Sequence, residues 1–265
     1  VVAIELECPE GTAAQFHPRL IIEPDGEDCE QPPTVTIDIH SVATPLLIDG
    51  LRTLSIGGLG GAGFPAAKKL QTAYEKGTDT LIINGAECEP FISCDEALMR
   101  ERAEEVIAGC LILQKACDAS TCILAIEDHK TDAIKAVKQS LAGSTIKLAI
   151  VSTKYPAGSE GQLIFAVTGK QVPAGALPID MGVLVHNVGT AYSAQMAISC
   201  GQPNISRITT LSGEPLRTPK NYEVLYGTPV SFLLEISGID RANHTDTIVG
   251  GPLMGKPLSD ESEGV

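Results

Sequence analysis

The sequence predicts an α/β protein organised around a parallel sheet. Three observations predict it. Short runs of β-branched and aliphatic residues alternate with helical patterns from about residue 80 to about residue 200, the texture of strand–helix–strand units. The strand-like runs end directly in glycine-rich or polar turns, as strands do when their carboxyl ends face a ligand crevice. No apolar run approaches the roughly 18 residues that a membrane-spanning helix needs.

The elements follow in order. Val2–Leu6 and Thr34–Ile39 are β-like, separated by a loop rich in Pro, Asp and Glu over Glu23–Pro33. They read as the remnant of a β-rich unit and its connector. Ala43–Thr53 is a plausible helix, followed by a glycine loop at Gly57–Gly63 and a helix over Pro65–Tyr74, with proline near the first turn where helices accept it. Thr80–Ile83 reads as a strand, Asp95–Lys115 as one long amphipathic helix, Thr121–Ile126 as a strand and Lys130–Leu141 as a helix. Lys147–Val151 is a strand, Ser159–Thr168 helical, Gly182–Asn187 a strand, and Thr190–Ser199 a helix closed by Gly201. Beyond Ile205 the texture changes. Ile208–Ser212, Asn221–Leu225 and Pro229–Ile236 suggest a small unit mixing strands and a helix.

Composition bounds the function. The 265 residues suffice for one large or two modest domains. Trp is absent and aromatics are 4%, so aliphatic residues and alanine fill the core. A net charge of −14 with no basic stripe excludes the usual nucleic-acid footprint and argues against direct binding to anionic lipid. A dinucleotide can still bind an acidic protein through backbone amides and a few local cations. The eight cysteines, at 8, 29, 88, 94, 110, 117, 122 and 200, contain no C-x-x-C pair. They read as reduced, mostly buried thiols rather than a disulfide frame or a metal site. The chain opens at Val1 without Met and closes in a polar tail, Ser259–Val265, so both ends read as trimmed.

The sharpest local signal is Gly57-Gly58-Leu59-Gly60-Gly61-Ala62-Gly63-Phe64-Pro65, followed by Lys68 and Lys69. Glycines remove side chains where a flat or phosphorylated ligand must touch backbone. The helix that follows turns its positive end toward the loop. Phe64 offers an aromatic face, and Lys69, one turn into the helix, can reach an anionic or carbonyl oxygen. The spacing Gly58-x-Gly60-x-x-Gly63 matches the dinucleotide fingerprint. However, the loop follows a helix rather than a strand and lacks the Lys-Ser/Thr of a P-loop, so a tight structural turn stands as the alternative.

Three further turns follow predicted strands: Asn84-Gly85-Ala86-Glu87-Cys88-Glu89-Pro90, Tyr155-Pro156-Ala157-Gly158-Ser159-Glu160-Gly161 and His186-Asn187-Val188-Gly189-Thr190. In the first, Asn84 can donate and accept, while Glu87 and Glu89 can accept from ribose hydroxyls or a flavin N–H. A polar turn capping a helix is the plainer reading. Four such loops on one edge point to a ligand crevice. His186 alone at a strand end reads as structural rather than as a base. No Ser–His–Asp order or H-E-x-x-H motif supports hydrolysis.

Taken together and in this order, these segments resemble the RnfC family, the peripheral NADH-binding subunits of Rnf electron-transport complexes (Rsx in some bacteria). The matching stretches are Pro24–Cys29, Gly57–Pro65, Leu81–Pro90, Thr153–Gly158 with Gln162-Leu163, Thr168–Pro173, Asn187–Tyr192 and Gly250–Gly255. RnfC is in turn similar to the flavin-carrying NADH-oxidising subunit of respiratory complex I. The resemblance implies a parallel-sheet FMN- and NADH-binding domain over 41–203, a small β-grasp (soluble-ligand-binding) domain over 204–250, a β-rich remnant over 1–40 and a tail over 251–265. It places Gly58, Gly60, Gly61, Gly63 and Lys69 on the flavin side and Phe64 near the dinucleotide. Asn84, Glu87 and Glu89 fall in the acidic turn, Tyr155, Gly158 and Glu160 in the second turn, and Asn187 and Thr190 in the third. Leu59 stands where the complex I subunit has Arg, Ala86 where it has Asp, and Ser159 replaces one of its paired acids. Each change removes a polar contact.

The resemblance also implies electron exchange between NADH and ferredoxin through FMN and two 4Fe-4S clusters. The cluster motifs of the full-length family, two C-x-x-C-x-x-C-x-x-x-C-P runs, do not occur here. The implied partners are the other Rnf subunits, including membrane-embedded ones, with no nucleic acid and no membrane span of its own. The implied place is peripheral, on the cytoplasmic side of the bacterial inner membrane. Two alternatives remain open: a cofactor-free docking scaffold, and a cobalamin reductase of a bacterial microcompartment.

Overall fold

The computed structural model describes residues 3–7, 17–22, 26, 33, 36–244 and 246–265, with 3–7 and 17–21 described by backbone alone. The chain divides into two compact units, Val1–Pro32 and Pro33–Val265. In the first, β1 (Ala3–Glu7) pairs antiparallel with β2 (His17–Ile21), Glu7 opposite His17. The Glu23–Pro33 loop and the Pro24–Cys29 stretch lie almost entirely outside the described residues.

The second unit is built on a four-stranded parallel sheet of β3 (Thr80–Gly85), β4 (Thr121–Glu127), β5 (Lys147–Val151) and β6 (Val183–Asn187), in the order β5-β4-β3-β6. The α/β expectation is met. The strands alternate as a sheet covered on both faces must. Leu81, Ile83, Cys122, Leu124, Ile126 and Leu184 enter the larger core, and Ile82, Ala125, Val183 and Val185 the smaller core on the opposite face.

Helices α1 (Thr44–Thr53), α2 (Ala66–Lys76), α3 (Cys94–Glu101), α4 (Ala103–Ala116), α5 (Thr131–Ser140) and α7 (Val188–Cys200) contribute to the larger core. Helix α6 (Glu160–Thr168) covers the smaller one. Their ends follow local chemistry. Pro45 sits in the first turn of α1, and Gly169 and Gly201 close α6 and α7 in the left-handed conformation at φ 71° and 66°, where glycine carries no Cβ penalty. Helices α4 and α7 cross so closely that a Cβ on Gly109 would lie 1.8 Å from the Ala191 carbonyl oxygen.

Two expectations are corrected. The single helix over Asp95–Lys115 is two, broken at Arg102 (φ −132°, ψ 37°). No proline or glycine marks the break; its cause is tertiary. Helix α3 packs on α5 and on the strand that follows the sheet domain, while α4 packs on α7. The Thr34–Ile39 strand is absent among its described residues. Residues 36–38 are irregular, and Ile37 N donates to Ile198 O at 2.9 Å.

After α7, β7 (Ser206–Leu211) and β8 (Lys220–Leu225) form an antiparallel pair, followed by α8 (Val230–Ile236). A two-residue pair, β9 (Ile248–Val249) with β10 (Lys256–Pro257), brackets the Gly250–Gly255 turn.

Candidate functional site

The chain runs β3, β4, β5 outward to one edge and then returns to place β6 on the other side of β3. The strand order therefore reverses between β3 and β6, and the carboxyl ends of two such strands splay their loops apart into a crevice. Asn84 and Asn187 are paired residues at those two ends.

The glycine loop folds over this point. Its base is closed by a bridge between Gly57 and Pro65 and by Gly58 N donating to Phe64 O at 2.9 Å. Gly60 packs on Asn187, whose Cβ would be 3.3 Å from a Cβ added there. Leu59 N donates to Thr190 Oγ1 at 3.0 Å, with Thr190 itself fully buried. Gly60 through Phe64 are exposed. At Gly61 and Gly63, with φ of 102° and 61°, an added Cβ would meet nothing within 4 Å. The loop thus presents bare backbone to open space, which is what a planar ligand lying against amides requires. The Phe64 ring is half exposed, with Lys68 Nζ 5.7 Å from its centroid.

Lys69 ties three elements together. From α2 its ammonium donates to Val185 O at 2.6 Å, near the end of β6, and to Glu160 Oε1 at 3.0 Å, at the start of α6. Asn84 Nδ2 donates to Gly158 O at 2.8 Å, while its Oδ1 accepts from Ala86 N. Gly158 packs against Cys88, whose Sγ would be 2.9 Å from a Cβ placed there. The four segments singled out in the sequence are therefore joined by direct contacts. Tyr155 stands apart on the surface, 57% exposed.

The two acidic residues of the turn have partners within the protein. Glu87, at φ 48°, accepts from Asp95 N at 2.6 Å and Glu96 N at 3.1 Å, which caps α3. Its other partner is Lys130 Nζ at 2.7 Å, and both side chains are only 3% exposed. These bonds hold a non-glycine residue in the sparsely populated left-handed region. Glu89 accepts from Leu253 N at 3.0 Å and Met254 N at 2.8 Å, anchoring the turn between β9 and β10.

Three residues that the sequence did not single out complete the site. Asp95 Oδ2 accepts from Asn187 Nδ2 at 2.7 Å. Removal from water, reinforced by the Glu87 carboxylate, pushes its carboxyl up to about 7, against the opposing pull of the Asn187 bond and of Lys130 and Arg207. Lys130 and Arg207 are the other two, and Arg207 reaches the network from β7. Each is an ordinary charged residue in sequence. The one legible hint was Asp95, in the first turn of the helix that leaves the acidic turn. His186 is buried with Nε2 unpartnered among the described residues. Burial, with the Lys69 charge nearby, depresses its imidazole to about 3 and keeps it neutral. The free cysteines among the described residues are Cys88, Cys94, Cys110, Cys117, Cys122 and Cys200. Surface depressions on α5 and along residues 36–40 are lined by none of these site residues.

Comparison with known proteins agrees with this geometry. Residues 51–195 match the family model described as the Nuo51 FMN-binding domain. The chain is 42% identical over 245 residues to the C component of the ion-translocating oxidoreductase complex of Pseudomonas aeruginosa, covering 92% of this chain and 32% of that protein. It is 41% identical over 243 residues to the same component from Rhodobacter capsulatus, covering 91% and 47%. The chain thus spans about a third to a half of the length of these curated relatives. Two structures of an NAD+-reducing NiFe hydrogenase share the fold. The air-oxidized state has a TM-score of 0.69 at 22% identity, over 86% of this chain and 44% of that one. The H2-reduced state has 0.66 at 21% identity, over 76% and 40%. With more than half its length matched by the family model, and with the loop, strand ends and helix starts of that match converging at one switch point, the chain belongs to the Nuo51 FMN-binding domain family.

Proposed function

We propose that this chain is the FMN- and NADH-binding part of an ion-translocating oxidoreductase complex, passing electrons between NADH and iron–sulfur clusters elsewhere in the assembly. The observation that carries the reading is the exposed backbone of Gly60–Gly63 over the β3–β6 switch point. Gly58, Gly60, Gly61, Gly63, Lys69, Asn84, Asn187 and Thr190 would hold FMN, Phe64 would lie near the dinucleotide, and Tyr155, Gly158 and Glu160 would form the second turn of the crevice. When bound, FMN would accept the two electrons of a hydride and release them singly, which the protein's own side chains cannot do.

The residues contribute position and electrostatics. The glycine backbone lets a flat group approach without a side chain between. Lys69 supplies positive charge beside the loop, and its bonds to Val185 O and Glu160 fix its reach. Asn84 and Asn187 offer amides at two strand ends. Glu87 and Glu89 shape the walls through the helix and the turn that they hold. No proton need be moved by a side chain, so the neutral, buried His186 is consistent with the reading.

The proposal carries a domain division with it. Residues 41–203 hold the sheet and its helices, and 204–250 would be a β-grasp-like module. Ser93 N donates to Thr210 Oγ1 at 3.0 Å, and Asn221 Nδ2 to Ser93 O at 3.2 Å, linking that module to α3. Ferredoxin, membrane-embedded subunits and two 4Fe-4S clusters would belong to the larger assembly, with this chain peripheral on the cytoplasmic side. Among the described residues no helix is long and apolar enough to cross a membrane.

The test is a visible-absorbance titration of the full-length protein with FMN, followed by anaerobic NADH. Flavin binding that is lost with bulky substitution at Gly61, and bleaching on NADH addition, are expected. No flavin binding with the fold intact would sink the reading.

A further inference from the structure

The chain of contacts below the glycine loop runs through one carboxamide. Asn187 Oδ1 accepts from Gly189 N at 2.7 Å and caps α7, while its Nδ2 donates to Asp95 Oδ2 at 2.7 Å. The Gly189 N–H, a donor, sets which end of the carboxamide is the oxygen, and Asp95, an acceptor, ties down the nitrogen end, so the side chain is held at both ends. Gly60 lies directly on the same side chain. Asp95 thereby restrains the rotamer of Asn187, whose Cβ and Cγ are the atoms nearest Gly60.

Asp95 is itself held. Its backbone N–H donates to Glu87, which Lys130 pairs. The Glu87 and Asp95 carboxylates and Cys94 Sγ lie within 4.8 Å of one another. Lys130 from the start of α5 and Arg207 from β7 are the cations whose charge it feels.

We propose that Asp95 is a positioning residue for the glycine loop: by holding the Asn187 side chain in one rotamer it fixes the wall under Gly60, and so sets how tightly the loop takes its ligand. The effect on ligand affinity rests on the proposed flavin role; the locking of Asn187 does not.

The experiment separates the two. In the ligand-free full-length protein, amide hydrogen exchange is followed at Gly58, Leu59 and Gly189, whose N–H groups donate to Phe64 O, Thr190 Oγ1 and Asn187 Oδ1. Asp95→Leu removes the acceptor at similar size and should speed exchange there at least tenfold, with α4 and the sheet unchanged. Asp95→Asn can still offer its carbonyl oxygen to Asn187 and should stay within about twofold of the parent. In an Asn187→Ala background, Asp95→Leu should add nothing further. Unchanged loop exchange in Asp95→Leu, or equal acceleration in the Asn187→Ala background, overturns the positioning role. FMN titration of the same variants reads the effect on affinity: at least a tenfold weaker Kd for Asp95→Leu with Asp95→Asn near the parent supports it, and equal Kd values refute it. If the parent binds no FMN, the flavin reading falls and the exchange data still decide what Asp95 does.

Discussion

Replacing Lys130 by methionine tests the energetic centre of the acidic turn. In the native protein the Glu87 carboxylate has three donors: Lys130 Nζ at 2.7 Å, Asp95 N at 2.6 Å and Glu96 N at 3.1 Å. Both charged side chains are 3% exposed, so water cannot take the place of a lost partner. Lys130→Met would keep the packing and delete the charge, leaving a carboxylate facing Asp95 across a shared site. Removing one member of a buried pair costs about 3–5 kcal/mol. The two remaining amide donors place this case near the lower end, at about 3 kcal/mol. For a domain of this size that is a fall in Tm of about 6–12 °C. The neutral double variant Glu87→Gln/Lys130→Met removes the orphaned charge and should recover at least half of the loss. The assay is urea unfolding followed by far-UV circular dichroism for the four corners of the cycle. A single-variant cost under about 1 kcal/mol, or a double variant no better than the sum of its parts, would show that the pair is solvated in solution and that the turn is held by something else.

Three further predictions use the same logic. Gly109→Ala places a Cβ 1.8 Å from the Ala191 carbonyl, so α4 and α7 must separate. A loss of about 2–3 kcal/mol in urea is expected, and a neutral result would mean that the two helices cross less tightly in solution. His186 carries a proton sign that can be checked. The unfolded chain takes up a proton near 6.5 while the folded chain refuses it until about 3. Stability linked to this residue is therefore complete above pH 6.5 and declines as pH falls toward 3. His186→Gln should gain on the parent by about 1–2 kcal/mol between pH 7 and pH 5, and identical acid profiles would contradict a buried neutral imidazole. Lys69→Met should cost about 1–2 kcal/mol of stability, little of it from the ion pair with Glu160, which is 35% and 44% exposed, and most from the part-buried bond to Val185 O. It should weaken FMN binding about tenfold or more, the worth of a charge-assisted bond. A stability loss with FMN affinity unchanged would make Lys69 merely structural.

What the sequence alone determined was whatever local chemistry encodes. The short unbroken apolar runs Leu81-Ile82-Ile83 and Cys122–Ile126 announced strands. Gly201 announced the end of α7, and the glycine run announced bare backbone ahead of α2. Strand ends bearing small and polar residues marked the edge where a crevice forms. The tertiary structure decided which partner each polar group meets. Glu87 and Lys130 are 43 residues apart in the chain, Asp95 and Asn187 92, and Glu89 and Leu253 164. The residue type shows that a carboxylate can accept a bond, but only the returning path of β6, α5 and the β9–β10 turn supplies the donor. The break at Arg102 belongs to the same class. Helix propensity runs through it, and the two segments divide their packing, α3 mainly against α5 and α4 mainly against α7.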